Sequence, residues 1–350
     1  MDRSREGAWT MITYVGTANP GFAPYAMEEL RRRIQGTKVS GLAPGETFLF
    51  TTGDFDPDPL LTDLRRNEPT FLRHMFPIDE ETDVTESPEQ SAEMLNQYAA
   101  TLAERIKGKK VAIQVRKEQS SPFPYSSAEG RDVIAPIIQE LGGEVVARDS
   151  DWIISIYASK KKLYMGCSLP RNNLSDWPGG AVRFRKDEGL ISRAAFKLLE
   201  AERAFKLPLD QFSNALDLGA APGGWTSVLL ERGLKVTAVD PAEMDPALEY
   251  HPRLRHLRQN SADVSFAPGS FDLLVCDMSW DPRHTCRIVS ELASSLSAGG
   301  SGIITLKLMH RKPFQSIQDI TESYSRVFDI RQVKQLFHNR EEVTMWVKRK

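Results

Sequence analysis

The second half of the chain alternates between two hydrophobic periods. Short apolar runs of strand length occur at residues 215–217, 235–239, 271–276, 301–306 and 344–347. Helix-spaced segments lie between them at residues 225–232 and 283–296, and a further one begins at residue 314. Strands that alternate with helices in this way predict a doubly wound, parallel α/β sheet.

The first half is less regular and predicts α+β structure. Strand patterns at residues 10–15 and 47–51 flank a helix pattern at 25–34. A second group follows, with helix patterns at 92–106 and 128–141 and strand patterns at 111–115, 145–146, 152–157 and 162–165. Prolines and paired glycines around residues 170–180 predict a linker. The predicted domains are therefore residues 1–75 and 76–168, a linker at 169–185, and residues 186–350.

The composition is that of an ordinary globular protein. The 350 residues are 41% hydrophobic and 26% charged, with a formal net charge of −2. The longest apolar runs fall far short of the roughly 18 residues that a membrane span needs. Three widely spaced cysteines and the lack of a signal-peptide pattern predict a reduced, cytoplasmic protein that does not bind a membrane.

Charge is unevenly distributed along the first half. Residues 79–93 carry acidic charges only, whereas residues 105–117 and 160–162 carry basic charges only. The basic positions are Arg105, Lys107, Lys109, Lys110, Arg116, Lys117 and Lys160 to Lys162. A charge run on its own is typical of a solvated face, so these positions become candidate phosphate contacts only if other residues indicate RNA.

The strongest local signal is a small-residue loop between a predicted strand and a predicted helix. It comprises Gly219, Ala221, Pro222, Gly223, Gly224 and Trp225. Small residues let a ligand approach the backbone, and the helix N-terminus offers N–H donors. Asp240 ends the next strand, where a carboxylate can accept both hydroxyls of a ribose. Ala221 replaces a glycine of the dinucleotide fingerprint and Pro222 adds rigidity, which favours S-adenosylmethionine over NAD.

The run from Asp217 to Trp225, Asp-Leu-Gly-Ala-Ala-Pro-Gly-Gly-Trp, resembles the cofactor loop of FtsJ/RrmJ-like ribose 2′-O-methyltransferases. The resemblance implies a class I methyltransferase domain and a catalytic Lys-Asp-Lys-Glu tetrad. The matching positions are Lys197, Asp277, Lys307 and Glu342, with Glu341 as the competing fourth member. It also implies that Ser192 and Asp277 lie beside the cofactor.

The same resemblance assigns roles to these residues. Lys307 is expected to accept the proton of the ribose hydroxyl, and Lys197 to favour the neutral form of Lys307 by like-charge repulsion. Asp277 and Glu342 are expected to hold the two ammonium groups. Where the family has an aspartate for the adenine end, this chain has Asn260, with Asp263 three residues later, and the sequence leaves the choice open.

Two other methyl acceptors fit the sequence less well. Enzymes that methylate exocyclic amines resemble one another in an Asp/Asn-Pro-Pro-Tyr/Phe sequence, but this chain has Asp-Met-Ser-Trp at residues 277–280. Methylation of pyrimidine carbon 5 requires a thiolate. Cys276 lies inside an apolar strand, where a buried structural role is expected.

The first half indicates the substrate class, again by resemblance. Residues 21–30 and 111–165 look like the ferredoxin-like and THUMP modules of RNA-modifying enzymes. The link at residues 173–180 resembles that of a THUMP-bearing methyltransferase acting on a cytidine ribose of large-subunit ribosomal RNA. In that context the basic clusters become phosphate contacts, and the loop at 120–125 either stacks a base or packs on its own domain.

The predicted function is S-adenosylmethionine-dependent 2′-O-methylation of ribosomal RNA, without a metal. The sequence leaves open whether the substrate is naked RNA or a ribosomal precursor particle. Alternatives are a non-catalytic RNA-binding assembly factor, a 2′-O-methyltransferase of transfer RNA, and a nicotinamide-dependent oxidoreductase. The ordered tetrad argues against the assembly factor, and Ala221 and Pro222 argue against the oxidoreductase.

Overall fold

A computed structural model of the chain describes residues 11–52, 57–184, 191–278, 280–308 and 312–350. The chain forms two compact units, Met1–Ala181 and Val182–Lys350. The boundary falls within the segment predicted as a linker. Residue 10 of the first predicted strand and residues 185–190, where the linker meets the last predicted domain, lie outside the described residues.

Unit 1 contains two sheets, with strand orders β2-β3-β1-β4 and β5-β9-β8-β6-β7. Its elements are β1 (Thr13–Thr17), α1 (Ala23–Arg33), β2 (Val39–Ala43), β3 (Thr47–Thr51), α2 (Pro57–Arg66), β4 (His74–Pro77), β5 (Glu80–Asp83), α3 (Pro88–Thr101), α4 (Ala103–Ile106), β6 (Lys110–Lys117), α5 (Ser127–Glu140), β7 (Glu144–Val145), β8 (Trp152–Ala158) and β9 (Lys162–Ser168). Strand β4 spans the predicted boundary between residues 75 and 76, so the first sheet extends to Pro77.

Unit 2 is a seven-stranded sheet with the order β12-β11-β10-β13-β14-β16-β15. Its elements are α6 (Ala195–Ala204), β10 (Asn214–Leu218), α7 (Gly224–Glu231), β11 (Lys235–Val239), β12 (Leu254–Leu257), β13 (Phe271–Cys276), α8 (Pro282–Glu291), β14 (Leu296–Lys307), α9 (Pro313–Tyr324), β15 (Phe328–Lys334) and β16 (Glu342–Arg349). The elements alternate as the sequence predicts, which gives a Rossmann-like α/β architecture.

The prediction of an all-parallel sheet is wrong at one edge. Strands β12, β11, β10, β13 and β14 are parallel, but β16 is antiparallel to both β14 and β15. The reason is that only residues 335–341 connect β15 to β16, because a parallel pair would need a crossover of about a dozen residues or more. The helix predicted at 283–296 also ends early, since α8 stops at Glu291 and β14 already begins at Leu296.

Sheet register brings the ends of the central strands together. Leu218 of β10 lies opposite Cys276 of β13, and Cys276 lies opposite Ile304 of β14. The strand order reverses between β10 and β13, and in open α/β sheets ligands bind at the carboxyl ends beside such a reversal. A core of buried apolar side chains, including Leu273, Val275 and Ile303, supports these ends.

Candidate active site

The loop between β10 and α7 requires glycine at two positions. Gly219 has φ +74° and Gly223 has φ +112°, both in the left-handed region that side chains disfavour. A Cβ at Gly219 would lie 2.5 Å from Cγ of Met278, the residue after Asp277. The loop therefore packs directly against the residue that follows Asp277 at the end of β13.

Asp240 directly follows β11 and faces this loop. Its Oδ2 accepts a hydrogen bond from the backbone N–H of Ala221 (3.2 Å), and its Oδ1 accepts one from Ala242 (2.8 Å). A carboxylate has about four lone-pair sites, so each oxygen retains capacity for another donor. The carboxylate is half-buried, next to the loop that contains Pro222. This placement suits a ribose diol.

Ser192 and Trp225 link the loop to the segment that leads into α6. A Cβ at Gly224 would lie 2.3 Å from Oγ of Ser192, and the indole N–H of Trp225 donates to the carbonyl of Ala194 (2.8 Å). Only glycine at position 224 permits this close packing. The predicted cofactor residues Ser192, Gly224 and Trp225 are thus neighbours in the fold, at the start of the helix that carries Lys197.

Asn260 and Asp263 follow β12, and both are exposed. The Asn260 amide Nδ2 donates to Oδ2 of Asp263 (3.2 Å). The two side chains form one hydrogen-bonded pair. Both candidates for the contact with adenine therefore lie at the same place.

Asp217 is a buried carboxyl beneath the loop. It is 1% exposed and accepts a hydrogen bond from the Thr226 hydroxyl (2.6 Å). Burial is the main cause that raises the pKa of Asp217 to about 7, and the negative charges of Asp277 and Asp240 add to the increase. A cationic ligand in this region would favour the ionised form.

Three members of the predicted tetrad are in contact. The Lys197 ammonium lies 3.0 Å from Oδ1 and 3.3 Å from Oδ2 of Asp277, and 3.4 Å from Oε2 of Glu342. All three side chains are less than one-fifth exposed. Burial raises the pKa of Asp277, and the charge and hydrogen bond of Lys197 oppose that increase. The lysine therefore favours the ionised form of Asp277 against the effect of burial.

Lys307, the fourth member, ends β14 directly opposite Glu342 of β16. Paired residues of antiparallel strands project on the same face, with Cβ atoms about 5 Å apart. The Lys307 side chain is exposed, and among the described residues the structure records no ion pair for it. Glu342 rather than Glu341 contacts Lys197, while the Glu341 carbonyl accepts from the backbone N–H of Leu308 (2.7 Å). Lys307 is thus the tetrad member open to a substrate.

Sequence reasoning missed Glu200, one turn after Lys197 on α6. Glu200 is 4% exposed, and its carboxylate accepts from the backbone N–H groups of Phe337 (2.7 Å) and His338 (2.9 Å). Nδ1 of His338 lies 2.7 Å from the same carboxylate. Glu200 therefore ties the helix of Lys197 to the loop that leads to Glu342. A single polar position on a helix carries no signal of such a contact.

Cys276 does not fit a nucleophilic role. The side chain is fully buried in β13, and burial raises the pKa of the thiol to about 12. All three cysteines are free and buried. A thiolate mechanism is accordingly disfavoured, as the sequence predicted.

The basic cluster at 105–117 divides into paired and exposed side chains. Arg105 is bonded to Asp79, and Arg116 to Glu46 and Thr17. Lys117 donates to the carbonyl of Phe123. Lys107, Lys109 and Lys110 are exposed. Of the second cluster, Lys160 pairs with Glu118, and Lys162 with Glu81 and Asp83.

The idea that the loop at 120–125 stacks a base is wrong for its central aromatic residue. Phe123 is 1% exposed and belongs to the core of unit 1. Tyr125 packs edge-on against Phe123, and its hydroxyl donates to the carbonyl of Pro88 (2.6 Å). The loop therefore packs on its own unit, because burial of the large apolar ring of Phe123 in the core is favourable.

In the ranges given above, no group of three or more His, Cys, Asp or Glu side chains could hold a metal ion. Within those same ranges, every helix is too short or too polar to cross a membrane.

The chain was compared with known proteins. Residues 190–332 match the FtsJ-like methyltransferase family. A ribosomal RNA large subunit methyltransferase M from Laribacter hongkongensis is 35% identical over 205 residues, which are 55% of this chain and 57% of that protein. Another match, from Halorhodospira halophila, covers 51% of its relative, so the chain spans about half the length of these two curated relatives.

Longer matches extend into unit 1. Proteins of the same name from Shewanella frigidimarina and Shewanella denitrificans are 30% and 31% identical, and each match covers 84% of both chains. The solved structure of TrmN from Thermus thermophilus aligns with 97% of this chain at 15% identity, with a TM-score of only 0.41. On the strength of the FtsJ-like match and the long Shewanella matches, this chain belongs to the family of ribosomal RNA large subunit methyltransferase M.

Proposed function

We propose that this chain transfers a methyl group from S-adenosylmethionine to the 2′-hydroxyl of a ribose in large-subunit ribosomal RNA, at a cytidine. One observation carries the proposal: Lys197 bridges Asp277 and Glu342, with Lys307 opposite Glu342 at the same sheet edge. A ribose hydroxyl is a poor nucleophile, so its methylation needs a base beside it. The names of the family members support ribosomal RNA as the substrate class.

The residues around the β10–α7 loop fit S-adenosylmethionine. Asp240 has acceptor capacity for ribose hydroxyls, Asn260 and Asp263 offer amide and carboxylate groups for the adenine amino group, and the loop offers backbone N–H groups. When bound, the cofactor supplies an electrophilic methyl group. Met278, which follows Asp277 after β13, packs against the loop at Gly219. The methyl donor and the tetrad would meet at this point.

The tetrad divides the remaining work. Lys307 would accept the hydroxyl proton on Nζ as the ribose oxygen forms its bond to the methyl carbon, and it must be neutral to do so. The bond between that carbon and the sulfonium sulfur would break, and its electron pair would stay on the sulfur of a neutral thioether. Lys197, held by two carboxylates, fixes the position of Glu342 opposite Lys307. A base held in place adds orientation to proton transfer, and orientation is a large part of enzymatic rate enhancement.

For unit 1 we infer an RNA-binding role. The ferredoxin-like and THUMP-like assignments, the domain limits 1–75 and 76–168, and the cytoplasmic location are part of this proposal. The exposed Lys107, Lys109 and Lys110 support it, because phosphate contacts require accessible cations.

Mass-spectrometric mapping of ribose methylation tests the function. Ribosomal RNA from cells without this protein should lack one 2′-O-methyl group in the large subunit, and expression of the wild-type chain should restore it. The Lys307→Ala chain should fail to restore it. Unchanged ribosomal RNA in cells without the protein would refute the proposal and direct the same measurement to transfer RNA. Calorimetry should detect binding of S-adenosylmethionine and not of NAD.

A further inference from the structure

An aromatic side chain is exposed just beyond the tetrad. Trp280 is 41% exposed, and it lies three residues after Asp277. Three residues of chain span at most about 11 Å, so the backbone of Trp280 lies close to that of Asp277. Large apolar side chains are commonly buried, and among the described residues only Met11 and Tyr250 are also large, hydrophobic and exposed.

Trp280 lies two residues before α8 and begins a ladder of planar groups that continues onto the first turns of that helix. The rings of Trp280 and His284 have centroids 5.2 Å apart and are tilted by 33°. An N–H of Arg287 donates to Nδ1 of His284 (3.2 Å). A spacing of three residues places His284 and Arg287 on one face of α8. Thr285 and Val289, on the opposite face, are buried.

The neighbours of this ladder are charged rather than apolar, and they comprise two arginines with Asp281 and Asp319 beside them. Arg287 is exposed, and Arg283 is 83% exposed with a single ion pair to Asp319 at 3.5 Å. An exposed ion pair of this kind is weak, so Arg283 can exchange the carboxylate of Asp319 for a phosphate. A docking site for an apolar protein surface would show further hydrophobic side chains around the ring, whereas flat aromatic groups beside arginines are typical of sites for single-stranded nucleic acid.

We propose that Trp280 stacks on a nucleobase of single-stranded RNA next to the methylated ribose, with Arg287 and Arg283 contacting the adjoining phosphates. This inference rests on the proposed function, since it assigns a place to the RNA of that same reaction. The stacked base would hold the target nucleotide in register with Lys307. Base stacking is tolerant of sequence, so the ladder positions the strand without selecting the base.

The experiment measures RNA affinity, cofactor affinity and single-turnover rate for four proteins: wild type, Trp280→Ala, Trp280→Phe and Tyr250→Ala. The RNA is a transcript of large-subunit ribosomal RNA. Tyr250→Ala is the matched control, because Tyr250 is an exposed aromatic residue of the same unit. Loss of one stacked base should weaken RNA binding by about 5- to 100-fold in Trp280→Ala. Trp280→Phe should stay within a few-fold of wild type, and all four proteins should bind S-adenosylmethionine equally.

Fluorescence separates stacking from a general structural effect. RNA should quench tryptophan emission of the wild-type protein, and Trp280→Phe should lose that quenching while it keeps its affinity. Arg287→Ala should lower the slope of log affinity against log salt by about one.

RNA affinity of Trp280→Ala within twofold of wild type would overturn the inference. If Trp280→Ala also lost cofactor binding, its weaker RNA binding could reflect a structural defect, and the fluorescence of Trp280→Phe would then be the test. Unchanged quenching by RNA in Trp280→Phe would overturn the inference, because it is incompatible with stacking on Trp280. A wild-type protein that neither binds nor methylates the transcript would instead overturn the proposed function, and the inference with it.

Discussion

Removal of Lys197 should destabilise unit 2 as well as abolish methyl transfer. Lys197 is the cation within 4 Å of both Asp277 and Glu342 in the ion pairs that the structure records. The three side chains are 15–19% exposed. Lys197→Ala would therefore leave two carboxylates close together with little access to water.

The magnitude follows from this burial. Removal of one partner of a buried ion pair costs about 3–5 kcal/mol, and the partial exposure of this array favours the lower end. For a unit of this size about 3 kcal/mol corresponds to a fall in Tm of roughly 6–12 °C.

The loss of stability in Lys197→Ala should become smaller as the pH is lowered toward about 4. Burial already raises the pKa of Asp277 and Lys197 opposes that increase, so without the lysine the folded-state pKa rises further. A carboxyl with a raised folded-state pKa loses stability as the pH rises through that pKa, so the variant should be weakest in neutral and alkaline solution.

Calorimetry of Lys197→Ala, Asp277→Asn and the double variant tests this reasoning. In the double variant one of the two unpaired carboxylates is gone, so at least half of the lost Tm should return. Lys235→Ala, which removes an exposed lysine of the same unit, should change stability by less than about 0.5 kcal/mol. The reasoning fails if Lys197→Ala melts within 2 °C of wild type, or if the double variant is no more stable than Lys197→Ala.

Four further outcomes are expected. Lys307→Ala should lower the single-turnover rate by about 10²–10⁴-fold with S-adenosylmethionine affinity unchanged, and a rate within a few-fold of wild type would remove Lys307 as the base. In Glu200→Gln an amide N–H would face the backbone N–H groups that now donate to the carboxylate, so the single-turnover rate should fall at least tenfold while cofactor affinity is unchanged. An unchanged rate would show that Glu200 contributes to folding and does not position the tetrad. Because burial raises the pKa of Asp217 to about 7, the cofactor-free protein should lose stability as the pH rises through about 7, and Asp217→Asn should flatten that dependence in thermal melts. Charge reversal of Lys109 and Lys110 should weaken RNA binding and reduce its salt slope while cofactor affinity stays the same, and an unaltered slope would leave these lysines as solvated surface.

The resemblance to FtsJ/RrmJ-like enzymes supplied the tetrad positions, and sheet geometry explains why three of them lie at one edge. Asp277 follows β13 and Lys307 ends β14, and the register of these neighbouring parallel strands places their carboxyl ends side by side. Glu342 begins a strand that runs the opposite way, so its first residue reaches the same edge. Periodicity identified these strands, whereas the choice of these residues as a tetrad rested on the family resemblance.

Other elements gave no periodic signal. Strand β5 consists of Glu-Glu-Thr-Asp and has no buried side chain, because it pairs only with β9 at a sheet edge. Strand β4 contains a proline, and Pro77 ends it. Such strands form because neighbouring backbone groups need hydrogen-bond partners, and a hydrophobicity pattern does not record that need.

The basic cluster at 105–117 shows why a charge run does not define a binding surface. Arg116 is bonded to Thr17 and Glu46, which are 99 and 70 residues away in the chain, and so it serves the packing of unit 1. Lys109 and Lys110 belong to the same run but remain exposed. A phosphate can replace water around an exposed ammonium at little cost, whereas contact with Arg116 would require breaking a half-buried ion pair. The run as a whole is therefore a poor guide, and the exposed lysines alone are the part of it that an RNA backbone can contact.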